Sequence, residues 1–186
     1  MRIGALVLAA GEGRRFGGTK QLAELDGRPL LEHALAAVAD VSPRVVVLGH
    51  AAEEIRAAVD LHGAEPVVCE GWAEGQSASL RCGLEALPGV DAVVVVLGDQ
   101  PGITPGVIAA AVDAFDPERD DAVRATYDGV PGHPVVLGRA LLARTDELAG
   151  DAGFRDVLAG GRVRELEAAH LADPADIDTR EELARR

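Results

Sequence analysis

The chain has 186 residues, 48% hydrophobic and 26% charged, which suits one domain with a full-sized core. A formal net charge of −13 speaks against nucleic acid and anionic membrane surfaces as partners, and no stretch approaches the roughly 20 apolar residues of a membrane span. A phosphorylated ligand would therefore need a local basic pocket or a metal, and Arg14, Arg15 and Lys20 lie close enough together to supply the pocket.

IGALVLA (3–9) is a short apolar run that reads as a buried strand, and PLLEHALAAVADV (29–41) has helical periodicity with Pro29 in its first turn. RVVVLG (44–49) reads as a second strand, AAEEIRAAVDLHG (51–63) as a helix stopped by Gly63, and EPVVCE (65–70) as a third strand. GQSASLRCGLEAL (75–87) is a helix with serines near its start. DAVVVVLGD (91–99) is the strongest strand, since four consecutive valines fit burial on both faces. TPGVIAAAVDAF (104–115) is a helix with Thr104 as N-cap and Pro105 at its first position.

Strand and helix thus alternate four times, which predicts an α/β fold with a mostly parallel sheet. Such sheets bind ligands outside the carboxyl ends of their strands. Further on, DDAVRATYDG (120–129) and HPVVLG (133–138) read as strands joined by a hairpin across DGVPG, so that one strand runs antiparallel. Helices are expected over about 139–149 and 153–159, and the tail DPADIDTREELARR reads as the end of a short strand and a final helix. No repeat or linker divides residues 1–186, so they read as a single domain.

Cys69 and Cys82 fit no zinc spacing and read as buried or half-buried thiols. Aromatic residues are only 3%, so stacking on aromatic platforms is a poor expectation for ligand binding. The opening MRIGALVLAAGEG resembles a signal peptide only superficially, because its short apolar run leads straight into a glycine-rich loop; a cytoplasmic protein is expected.

That loop, LAAGEGRRFGGTKQL (8–22), carries the most chemistry. It is not a Walker phosphate loop, because Thr19-Lys20 stand in the wrong order after Gly18. Nor is it a dinucleotide fingerprint: Gly11, Gly13 and Gly17 are one residue too widely spaced, and the second strand ends in Gly49-His50 rather than an acid. A third reading fits. Glycine lets the backbone approach a base or ribose, oriented N–H groups form an anion-binding concavity, and Arg15 and Lys20 neutralise phosphates.

The stretch resembles the L-A-[AG]-G-x-x-x-R-[FM]-G-x-x-K signature of the MobA-like nucleotidyltransferases, which include enzymes that attach CMP or GMP to molybdopterin. Ala10 and Phe16 match the spelling of the cytidylyltransferase branch. The resemblance implies a three-layer Rossmann-like nucleotidyltransferase fold. It implies Leu8, Ala9, Ala10, Gly11, Gly13, Arg15 and Lys20 as nucleotide-binding residues, with Arg15, Lys20 and Asp99 as the catalytic set.

Asp99, in LGDQPGITP (97–105), ends the valine-rich strand where the family has A-D-Q-P, and is placed to hold Mg²⁺. EGWAEGQSASLRCGL (70–84) resembles the family's W-x-x-G-[MQ]-x-x-S-L segment, which implies base and ribose contacts for Gly75, Gln76, Ser77 and Ser79; helix capping is the alternative for the serines. DGVPGHPVVLG (128–138) resembles G-x-x-G-H-P-V and puts a titrating His133 near the acceptor, where it can meet a phosphate, with turn formation as the alternative. AGDAGFRDVL (149–158) resembles G-D-x-G-x-R and makes Arg155 a second acceptor contact, with an exposed helical arginine as the alternative. DIDT (176–179) resembles the family's closing D-[IV]-D-T-P-E-D-L. Asp176 and Asp178 would share one face of a strand, and Asp178 is the candidate second metal ligand, although Arg180 stands where the family has proline.

The resemblance therefore implies transfer of CMP from CTP to the terminal phosphate of a molybdopterin-type acceptor, with Mg²⁺ as cofactor and a molybdoenzyme as recipient of the product. A guanylyltransferase, a transferase acting on another phosphorylated metabolite, and a non-catalytic nucleotide-binding accessory of a molybdoenzyme are the alternatives.

Overall fold

Strand β1 (Ile3–Ala9) runs into an irregular glycine-rich loop, a 3-10 turn at Lys20–Leu22 and a small hairpin of β2 (Glu24–Leu25) and β3 (Arg28–Pro29). Asp26 and Gly27 have φ of 52° and 75°, the two left-handed residues that a two-residue hairpin turn needs. There follow α1 (Leu30–Ala37), β4 (Arg44–Leu48), α2 (Ala52–Ala58), β5 (Glu65–Val68), α3 (Gln76–Glu85), β6 (Ala92–Leu97) and α4 (Pro105–Ala114). Next come β7 (Ala122–Tyr127), β8 (Val130–Gly138), α5 (Arg139–Leu142), α6 (Arg155–Leu158), β9 (Val163–Glu167) and α7 (Arg180–Ala184). The structure is a computed structural model and describes residues 1–148, 150 and 153–186.

Seven strands form one sheet in the order β5-β4-β1-β6-β8-β7-β9. β8 pairs antiparallel with β6 and β7, and every other neighbour is parallel. Side chains alternate across this sheet. Ala5, Val7 and Ala9 pack with Leu31, Leu35, Ile55 and Ile108 on one face. Leu6, Val45 and Val47 pack with Leu80, Leu141 and Val157 on the other. The sheet is the middle of three layers, and Ala92–Val96 of β6 are buried as their valine run requires. Gly83 of α3 permits the close approach of helix to sheet, because a β-carbon there would meet Leu6 and Val47.

Several elements differ from the expectations. α1 ends at Ala37 rather than 41, and Pro29 stands just outside it, pairing in β3. α2 ends at Ala58 because Val59 turns extended and its side chain enters the core. The β7–β8 turn is Asp128-Gly129 alone, so β8 begins at Val130 and takes in Pro131 and Pro134, with a register shift between Arg124 and Thr126. The helix expected over 139–149 shortens to α5 and a 3-10 turn at Thr145–Glu147; Ala149, Asp151 and Ala152 of the proposed G-D-x-G-x-R segment lie outside the described residues. β9 was not expected: VRELE is an edge strand too polar to stand out as an apolar run.

Residues 171–178 form no strand; they strap across the turn after β6 instead. Asp173 N–H donates to the Gly102 carbonyl at 3.2 Å and Ile177 N–H to the Asp99 carbonyl at 3.0 Å. The two cysteines are not free thiols, as expected, but form a disulfide. The end of β5 and the second turn of α3 bring their Cα atoms to 5.9 Å, within bridging range, a proximity their separation in sequence does not reveal.

Candidate functional site

Three segments converge beyond the carboxyl ends of β1 and β6: the loop after β1, the Asp99 turn and the tail ending at Asp178. With the segment leading into α3 they enclose a cavity of about 470 Å³. Leu8, Ala9, Ala10, Gly11, Gly13, Arg15 and Lys20 line it, as do Gly75, Gln76, Ser79, Asp99 and Asp178.

The loop is shaped locally and anchored remotely. Gly13 has φ of 69°, and a β-carbon there would lie 2.6 Å from the Gly18 carbonyl oxygen, so the loop folds back on itself only with glycine at this point. Phe16 leaves the loop to pack in a small core with Leu30 and Ile177. The Arg180 guanidinium lies over its ring at 5.0 Å, so the residue that departs from the family's proline ties loop to tail. Beneath the loop, buried Gln21 donates from Nε2 to the carbonyl oxygens of Ala9 and Gly11, both at 2.9 Å.

Lys20 and the two carboxylates form the charged centre. Lys20 Nζ is 2.5 Å from Asp99 Oδ2 and 3.0 Å from Asp178 Oδ1, and the three side chains are 13%, 23% and 24% exposed. Arg15 reaches the other oxygen of Asp178 at 2.7 Å. Burial by itself would lower the Lys20 pKa, but Asp99 and then Asp178 outweigh it and hold the ammonium above its ordinary value. Asp178 is set in place by the start of α7. Its N–H and that of Thr179 donate to Glu182 Oε2 at 2.8 Å, while Thr179 Oγ1 accepts from Glu182 N–H, a reciprocal capping box.

The opposite wall comes from the start of α3, where Gly75 precedes the helix with φ of 115°. Neither serine caps this helix. Ser79 lines the cavity; Ser77 does not, because it is turned inward and its buried hydroxyl has no partner. Trp72 also lines the cavity, with His50 set edge-on to it at 5.6 Å. The low aromatic content pointed away from such a wall, yet one tryptophan suffices. Glu12 also lines the cavity; neither it nor Gln21 occupies a specified position of the loop signature, while Trp72 opens the W-x-x-G-[MQ]-x-x-S-L segment without an assigned role. For Gln21 the available signal was a polar residue followed by leucine immediately after the lysine.

The expected acceptor residues lie elsewhere. His133 is on β8, outside the cavity lining, and burial lowers its pKa to about 4 despite the opposing effect of Asp99. Burial thus disfavours the charged imidazole that the expectation called for. The His133 carbonyl accepts from the Tyr127 hydroxyl at 2.6 Å. Arg155 is exposed at the start of α6 and does not line the cavity either. Because the tail is not a strand, Asp176 and Asp178 do not share one face: Asp178 enters the charged centre, while Asp176 accepts from Gln100 Nε2 at 2.7 Å and lines a second cavity.

The charged centre fits a divalent cation. Asp99 Oδ1 is buried without a hydrogen-bond partner, a hard anionic donor left over after Lys20 takes Oδ2. Among the described residues no group of three or more His, Cys, Asp and Glu side chains is arranged around a metal. The protein would thus offer the two carboxylates of Asp99 and Asp178, the number Mg²⁺ uses beside phosphate oxygens.

Residues 5–169 match the model of the MobA-like NTP transferase domain. The bifunctional protein GlmU of Streptomyces griseus is 43% identical over 122 residues, which cover 59% of this chain and 25% of that protein, so the match spans about a quarter of that relative's length. Nicotine blue oxidoreductase of Paenarthrobacter nicotinovorans is 30% identical over 191 residues, covering 97% of this chain and 94% of the relative. Among solved structures, Rv0371c of Mycobacterium tuberculosis superposes with a TM-score of 0.86 at 32% identity, covering 100% of this chain and 96% of that one. The same protein is also known in complex with manganese, with a TM-score of 0.81 at 30% identity and coverage of 100% and 97%.

Proposed function

Because this chain belongs to the MobA-like NTP transferase family, we propose that it transfers CMP from CTP to the terminal phosphate of a molybdopterin-type acceptor, releasing pyrophosphate in the cytoplasm. The reading rests above all on the meeting of Lys20, Asp99 and Asp178 at the mouth of a cavity behind a glycine loop. An acceptor phosphate oxygen attacks the α-phosphorus, the bond to the β-phosphate oxygen breaks, and pyrophosphate departs. No protein nucleophile is needed, so positioning and charge neutralisation supply the catalysis.

The backbone of Ala10, Gly11 and Gly13 lies against the nucleotide, and Arg15 and Lys20 offset charge on the triphosphate and leaving group. Gln76 and Ser79 face the base and ribose, and Trp72 closes that side. Asp99 and Asp178 would hold Mg²⁺, which when bound neutralises phosphate oxygens. Ser77 acts beneath this wall, in the packing of α3. Arg155 remains the proposed acceptor contact, whereas His133 supports the Asp99 side as a neutral group. CTP is favoured over GTP by Ala10 and Phe16, which match the cytidylyl spelling of the loop.

A second reading comes from the near full-length likeness to nicotine blue oxidoreductase: a hydride-transferring enzyme on the same scaffold. It is weakened by β4, which runs into Gly49-His50 without a carboxylate for a dinucleotide ribose. Pyrophosphate release, screened with CTP and GTP, Mg²⁺ and molybdopterin or a sugar 1-phosphate, separates the readings. The proposal expects release with CTP and molybdopterin. Release with GTP or a sugar phosphate alone would reassign the substrate; oxidation of a nicotinamide cofactor without pyrophosphate release would reassign the class, and binding with neither reaction would mark a non-catalytic accessory.

A further inference from the structure

Lys20 is the only lysine in the chain: all others of its 18 Lys and Arg residues are arginine. It lines the cavity together with the carboxylates of Asp99 and Asp178. Its Nζ spans Asp99 Oδ2 at 2.5 Å and Asp178 Oδ1 at 3.0 Å. Arg15 pairs with the other oxygen of Asp178, Oδ2, and Asp99 Oδ1 is buried without a hydrogen-bond partner. A divalent cation that binds both carboxylates from between them would share Asp99 Oδ2 and Asp178 Oδ1, and the ammonium already bridges these two oxygens. Mg²⁺ sits about 2.0–2.1 Å from its oxygens, so a cation bound to both would occupy the space of Nζ. Two positive charges at such a distance in a partly buried site repel strongly.

We propose that Lys20 is a resident stand-in for the divalent cation: its ammonium balances the Asp99–Asp178 pair and must be displaced before a metal can use both carboxylates. The inference rests on the reading of Asp99 and Asp178 as metal ligands. An arriving triphosphate resolves the competition, since it offers the ammonium new oxygens and brings a cation with it. Metal and nucleotide therefore bind synergistically, and the carboxylates carry no loosely held metal between turnovers. The residue type suits this task. Lysine is a compact point charge on a flexible four-carbon stem, able to leave one anion for another, whereas the arginine fork would clamp a carboxylate with two hydrogen bonds. The Lys20 ammonium is held by the two carboxylates, its backbone lies in the 3-10 turn, and Gln21 next to it is fixed by two hydrogen bonds, so the side chain can swing from one set of anions to another while the loop stays in place.

The test is binding of Mn²⁺ alone, without nucleotide, to the full chain, followed by the electron paramagnetic resonance signal of free Mn²⁺. Lys20→Met is expected to bind Mn²⁺ about ten-fold or more tighter than the wild type, and Asp99→Asn to lose the site. Equal or weaker binding by Lys20→Met, with the site still lost in Asp99→Asn, overturns the stand-in while leaving the metal ligands assigned. Binding untouched by Asp99→Asn overturns both. A second measurement needs no Lys20 variant. With a single lysine, limited acetylation reports on Lys20 and the N-terminal amine alone, and peptide mass spectrometry separates them. Saturating Mn²⁺ is expected to raise Lys20 labelling several-fold in the wild type and to leave Asp99→Asn unchanged; wild-type labelling that Mn²⁺ does not alter overturns the proposal.

Discussion

Gly49 and Trp72 are packed so closely that position 49 has no room for a β-carbon: built there, it lies 2.6 Å from Cβ and from Cγ of Trp72, and 2.6 Å from the carbonyl oxygen of Ala10. The end of β4 thus fixes both the tryptophan wall of the cavity and the backbone of the nucleotide loop. Gly49→Ala has to displace one of them. It is expected to cost about 1–3 kcal/mol in urea unfolding, to shift the fluorescence of the chain's single tryptophan and to raise KM for the nucleotide. A variant with unchanged stability and fluorescence would show that this wall yields freely.

Gln21 fastens the same loop from below through the carbonyls of Ala9 and Gly11. Gln21→Leu fills similar space but leaves both carbonyls without their buried donor, at about 1–3 kcal/mol. The loop would keep its charges and lose its placement. KM for the nucleotide is expected to rise more than kcat falls, a split that steady-state kinetics resolves.

His133 makes stability depend on pH in a defined direction. The imidazole titrates near 6.5 when free and at about 4 in the folded chain. Between these values the unfolded state binds the proton and the folded state does not, so this contribution is complete above about pH 6.5 and is lost as pH falls toward 4. His133 as a whole residue is half-buried, and the loss is on the order of 2 kcal/mol. Chemical denaturation of His133→Gln across this range should show a shallower fall than the wild type; parallel profiles would contradict the burial of the ring.

Thr179 caps α7 and, through Glu182, holds the backbone of Asp178. Thr179→Ala is expected to cost about 1 kcal/mol of stability and to weaken Mn²⁺ binding in the presence of nucleotide. Stability lost with metal affinity intact would show that the cap serves the helix alone.

Much of this architecture was legible in the residues. The valines of β6 announced a strand covered on both faces, and the glycines and cations after β1 announced a loop facing an anion. Lys20 and Asp99 were expected to share a cavity, and they do. What stayed hidden is set by tertiary contact. The polar VRELE of β9 joins the sheet only because β7 offers an edge. The tail abandons the strand that its alternating acids suggest because Asp99, Gly102 and Gln100 bond its backbone or its Asp176 side chain. Cys69 and Cys82 meet only once α3 lies against β5, and Trp72 reaches the cavity only because residue 49 is glycine.

The central claim is that Lys20 and Asp99 act on one magnesium-bound triphosphate, and Mg²⁺-dependent pyrophosphate release by folded Lys20→Ala and Asp99→Asn tests it most directly. Each variant is expected to retain the circular dichroism of the wild type and to lose about 10²–10³ in kcat. Turnover near the wild-type rate in either folded variant would contradict the account.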